Sequence, residues 1–162
     1  WVQANQVAHL PNVLYVGPEE PFSSYELIQR SKFVLIYNST IGLEASILGL
    51  PVISGGKARF SQIPTVFFPK SQLGFRQQVE TFLQAEHAEA LPEHRRNARR
   101  FLYYQLFRSS LPFGDFIEED GVWRGYVRLK AFDWQALLPA RSPALRAVSE
   151  GILNGKAFLL GE

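Results

Sequence analysis

The chain has 162 residues, 46% of them hydrophobic, and a formal net charge of +2. That length and apolar share allow one sizeable core and favour a single domain. No apolar run reaches the ~18 residues of a membrane span, the small charge calls for no nucleic-acid partner, and zero cysteines exclude disulfides, thiol catalysis and Cys-ligated zinc.

The opening residues, WVQANQVAHLPN, lack the basic start and apolar segment of a secretory signal. There is no methionine, even at position 1, so the chain is expected to begin partway through a longer protein. NVLYVG, 12–17, is β-branched and aromatic, ends at Gly17-Pro18, and predicts a strand. After the loop PEEPF, Ser23 and Glu26 have capping-box spacing, which predicts a helix over 24–31. KFVLIY, 32–37, is continuously apolar and predicts a strand buried on both faces of a parallel sheet. A helix follows over 40–49, stopped by Gly49 and Pro51. PVISGG, 51–56, and TVFFP, 65–69, predict two further strands. This alternation implies parallel strands and an α/β fold, a Rossmann-like doubly wound sheet over residues 1–70.

Residues 71–162 change character, becoming helical and aromatic, without a linker. Helices are expected over 72–86 and over 92–108 with Pro92 near its start. A turn-rich segment punctuated by Gly114, Gly121 and Gly125 comes next. The last helix, about 142–153, has Ser142 as its cap and Pro143 at its first position.

One junction holds more polar groups than a connector needs. Asn38-Ser39-Thr40 joins an apolar strand to a helix, with Gly42 and Glu44 just beyond. In open parallel sheets ligands bind past the carboxyl ends of strands, where helix N-termini attract phosphate. Ser39 and Thr40 add hydroxyl donors, and Gly42 permits close approach of an anion. Helix capping accounts for one of these polar groups. It does not account for Glu44, which sits one turn beyond Thr40, where a carboxylate can accept from sugar hydroxyls.

NSTIGLEASILGLPVISGG resembles the donor-binding half of GT-B-type glycosyltransferases, in particular the bacterial capsule polysaccharide biosynthesis proteins. Their turn-helix and Gly-x-Pro-Val strand occur in this order. NVLYVGPEEPFSSYELIQRSKFVL, RRFLYYQLFRSSLPFGDF, GYVRLK and SPALRAVSEGILNG extend the likeness over nearly the whole chain. The resemblance implies the C-terminal, donor nucleotide-sugar half of such an enzyme. Ser39, Thr40 and the amides through Gly42 would hold phosphate, and Glu44 the ribose. A CMP-linked acidic sugar such as Kdo is one candidate donor. No cofactor or metal is implied. The polysaccharide or glycolipid acceptor and the catalytic base would belong to a further domain, so no catalytic residue is assigned here. The family's His-Pro pair is not matched by His9-Leu10-Pro11. A cytoplasmic site of action, with peripheral contact at the inner membrane, fits that role. A sugar-nucleotide 2-epimerase and a non-catalytic glycan- or partner-binding module of capsule assembly are the alternatives.

Other groups have competing readings. Gly17, Pro18 and Ser23 lie after a strand expected on the same sheet edge as the knot, facing the nucleotide, although Ser23 already has a capping role. Gly55-Gly56 with Lys57 and Arg59 is either a phosphate-balancing turn or an ordinary one. Arg95, Arg96, Arg99 and Arg100 line one helix side, as a solvated face, a membrane contact or a polyanion contact. The aromatics after them, Phe101, Tyr103, Tyr104 and Phe107, are expected to pack. Asp115, Glu118, Glu119 and Asp120 read as surface, and the scattered His9, His87 and His94 show no metal spacing. Trp123 and Trp134 are expected in a core or an interface.

Overall fold

In a computed structural model, residues 2–17, 19–122 and 125–160 are described. The fold is mixed α/β and divides into two compact units, one up to Ala98 and one from Arg99. The change of sequence character near 70–90 falls inside the first unit.

In the first unit, helix α1 spans Ser24–Gln29, strand β1 Val34–Ile36, helix α2 Ile41–Leu48 and strand β2 Val52–Ser54. β1 and β2 pair in parallel with Leu35 opposite Ile53. α2 is the crossover between them, packing on both strands through Leu43 and Ala45, and a left-handed Gly49 (φ 96°) ends it. Helix α3, Gln72–Gln84, starts where the Ser71 hydroxyl accepts from the Gly74 amide (3.1 Å). Lys32 donates to the carbonyls of Leu83 and Ala85 at the other end of α3, placing a cation where the helix dipole is negative. Ile53 is fully buried at the centre of this unit.

Two expected strands take a different form. Residues 13–17 have no regular structure, and Leu14 is 86% exposed. Strand propensity reflects the fit of a side chain to a pleated, packed surface, and among the described residues no strand pairs with this segment. The segment TVFFP contributes one residue. Phe67 bridges Ile53 in parallel, donating to the Val52 carbonyl (2.9 Å) and accepting from the Ser54 amide (2.9 Å). Pro64 and Pro69 flank it, and proline cannot donate to a ladder. Among the described residues the parallel array is therefore β1, β2 and Phe67, in that order. The Ser23 capping box is also absent. Ser23 makes no side-chain cap bond, and its backbone carbonyl takes the Leu27 amide instead (3.1 Å).

Helix α4, Pro92–Tyr104, continues as one π-helical stretch over Gln105–Ser109. In the first unit its His94 is buried edge-on against Phe67, 4.7 Å between ring centroids. Burial holds the imidazole below its usual 6.5, outweighing the opposing pull of Glu93. The unfolded chain therefore takes up a proton first as pH falls. Stability conferred by neutral His94 is complete above about pH 6.5 and declines below it. Thermal melts of the chain and of His94→Phe are expected to diverge on the acid side, the native chain losing more. Parallel curves would show that His94 is not the titrating group.

In the second unit, strands β3, Ile117–Glu119, and β4, Val127–Leu129, form an antiparallel hairpin in which Arg128 Nε meets Glu118 at 2.7 Å. Phe116 is buried between Phe113 and Phe132. Helix α5, Pro143–Asn154, begins with Ser142 accepting from the Leu145 amide (3.3 Å), as expected from Ser142-Pro143. Trp134 is exposed rather than in a core. Trp123 lies outside the described residues.

Candidate functional site

The carboxyl ends of β1, β2 and the Phe67 segment all open onto one cleft of about 1230 Å³. Tyr37 follows β1 at its wall, Gly55 follows β2, and Phe68 and Lys70 follow Phe67. The start of α3 closes the rim with Ser71, Gln72 and Phe75. The aromatic part of the wall is Tyr37, Phe68 and Phe75, with the Lys70 ammonium 4.1 Å from the centre of the Phe68 ring, within cation–π range. Concave, mostly apolar sites with a few polar groups are the usual form of a small-molecule pocket.

The floor depends on close backbone packing. Gly56 donates to the Tyr37 carbonyl (2.6 Å), and the buried Ser54 hydroxyl lies within hydrogen-bond distance of that oxygen (2.9 Å) and of the Gly56 carbonyl (2.7 Å), sharing its one proton between them. Gly55 donates to the Ile36 carbonyl (2.8 Å). Lys57 and Arg59 are exposed beyond this turn.

The polar knot leaves the cleft wall directly after Tyr37. Asn38, Ser39 and Thr40 are all exposed. Capping uses them little. Thr40 occupies the cap position without a side-chain bond, and the Ser39 hydroxyl accepts only a long bond from the Ile41 amide (3.4 Å). Their hydrogen-bonding capacity is thus largely unspent. The amides behind them are committed, however. Gly42 donates to the Ser39 carbonyl (3.1 Å) and Leu43 to that of Thr40 (2.9 Å). Of the amides expected to cradle phosphate, that of Gly42 is taken up in this tight first turn.

Gly42 also serves the packing of the fold. A Cβ there would lie 2.3 Å from Ile36 Cδ1 and 3.4 Å from Val52 Cγ1, so its bare backbone lets α2 press onto the strands. Glu44, one turn along, is half-buried and accepts a hydrogen bond from the Tyr25 hydroxyl of α1. That bond, reinforced by the carboxylate's charge, raises the Tyr25 phenol above its usual 10.0.

The contact between Tyr25 and Glu44 brings the first turns of α1 and α2 together, two residues past Ser23. Gly17 is not drawn in. The atoms nearest a Cβ there belong to its own loop, Glu20 at 3.9 Å and Tyr15 at 4.0 Å. Pro18 lies outside the described residues. Tyr25 and the far cleft wall, Lys70 to Phe75, were not singled out in the sequence. The available signal was an apolar segment running into a serine-capped helix at Ser71, the same strand-to-helix join as the knot.

No protein-family model, curated protein or solved structure matches the chain.

Of the arginine run, Arg95 turns away from the others and donates to the Ile47 carbonyl near the end of α2 (3.0 Å). Arg96, Arg99 and Arg100 are exposed.

Proposed function

We propose that the chain is the donor-binding domain of a nucleotide-sugar-dependent glycosyltransferase of bacterial capsule polysaccharide synthesis, with the Rossmann-like architecture of a GT-B C-terminal half. The observation that supports this best is the placement of unspent polar side chains, Asn38, Ser39 and Thr40, at the carboxyl end of β1 beside an open cleft. The donor's phosphate accepts hydrogen bonds from those hydroxyl and amide groups. The Glu44 carboxylate, steadied by Tyr25, accepts from ribose hydroxyls one helical turn away. The cleft itself is lined by Tyr37, the residue just before Asn38, and by Gly55, and gives the rest of the donor room to extend. The acceptor and catalytic base come from a further domain, and the enzyme works at the cytoplasmic side of the inner membrane. Transition-state charge is met by fixed donors, without an obligatory metal.

Calorimetric titration of the chain with CMP, CDP, UDP and GDP tests this. One of these nucleotides is expected to bind. Glu44→Ala should weaken that binding by about 10- to 100-fold, the scale of a hydrogen bond to a charged group. Ser39→Ala should weaken it by about 3- to 10-fold. A folded sample that binds no nucleotide at millimolar concentration would sink the reading. Binding unaffected by either substitution would move the site elsewhere.

A further inference from the structure

We propose that the outward face of the helix from Arg99 to Phe107 in the second unit is a docking surface for an anionic membrane. At 100° per residue, Arg99, Arg100, Tyr103 and Tyr104 fall on one arc of α4, and Leu106 and Phe107 follow in the π-helical stretch. All six are exposed, with Tyr103 at 60% and Phe107 at 61%. Phe101, Leu102, Gln105 and Arg108 are half-buried. The expectation that the aromatics after the arginines pack inward therefore holds for Phe101 but not for Tyr103, Tyr104 or Phe107. A solvated outer face is normally charged or polar. This one combines two guanidiniums with four large aromatic or aliphatic side chains.

Charge identifies the occupant. No Asp or Glu occurs between Glu93 and Asp115, while five arginines do. Arg99 and Arg100 have no carboxylate partner among the described residues. Guanidiniums and tyrosine hydroxyls suit the depth of lipid headgroups, and bare Phe107 and Leu106 suit the acyl boundary below. The Tyr103 and Phe107 rings contact one another at 5.1 Å and present a joint apolar surface. A soluble acidic polysaccharide would satisfy the arginines but would leave Leu106 and Phe107 in water. The surface is peripheral, since no helix among the described residues is long and apolar enough to cross a membrane.

The test is sedimentation of the full 162-residue chain with vesicles of phosphatidylcholine alone and of an equimolar phosphatidylcholine–phosphatidylglycerol mixture, at low and high salt. Binding is expected to the anionic vesicles and to weaken with salt. Arg99→Gln with Arg100→Gln should weaken it by about 25-fold, the product of about fivefold for each arginine near such a surface. Leu106→Ser with Phe107→Ser should reduce it at both salt concentrations. These positions are exposed, so circular dichroism of the variants should match that of the native chain. Equal binding to neutral vesicles, no binding to either, or retention by soluble polygalacturonate without vesicle binding would each overturn the proposal.

Discussion

Phe82→Ala is expected to destabilise the first unit by about 3–5 kcal/mol, the range for removing a buried ring from a core. Phe82 extends from α3 into the space between Phe33, 5.4 Å away, and Phe67, 5.1 Å away, both edge-on. Phe67 in turn meets His94 of α4. The ring thus connects the strand array to both flanking helices, and alanine would leave a cavity that three separate elements must collapse to fill. Against a total stability of about 5–15 kcal/mol, this is a large fraction. Urea unfolding followed by circular dichroism should show an earlier midpoint with an unchanged slope. Phe82→Leu, which retains most of the volume, should cost clearly less. Equal losses for the two would mean that the ring contacts contribute little.

Gly56→Ala is the second large effect, about 2–3 kcal/mol from overpacking. The added Cβ would stand 2.8 Å from the Tyr37 carbonyl oxygen and 2.9 Å from its ring. The ring can turn aside. The carbonyl cannot, because it is backbone and the Gly56 amide itself is hydrogen-bonded to it at 2.6 Å. Relief requires β1 and the turn after β2 to separate, which loosens Tyr37 and with it the cleft wall. Gly55→Ala is the matched control, because its Cβ would meet nothing closer than Phe75 at 3.5 Å. Denaturation of the two variants side by side should show a loss only at Gly56. If both behave like the native chain, the close approach is not what holds the turn.

Helix limits were legible where local chemistry sets them. Ser71 and Ser142 each present a hydroxyl to an amide three residues on, Pro143 has its torsion preset, and Gly49 adopts a left-handed conformation open to few other residues. The polar knot was visible for the same reason, since strand, turn and helix are contiguous there. Ser23 shows where such reasoning fails. Its spacing to Glu26 fits a capping box, yet its backbone carbonyl serves the helix and its hydroxyl does not.

Hydrophobic runs, caps and a positive-φ glycine act within a few residues, so the parallel β1–α2–β2 unit and the starts of the longer helices are written locally in the chain. Long-range packing settled the rest: among the described residues, 13–17 pair with no strand, Phe67 alone of its segment bridges to β2, and Tyr25 reaches Glu44 across nineteen positions. It also decided that Gly42 yields space to Ile36 and that the Tyr103–Phe107 face points outward. Each of these depends on which distant surface arrives opposite a residue, and a strand or an aromatic side chain has no settled place until that partner is present.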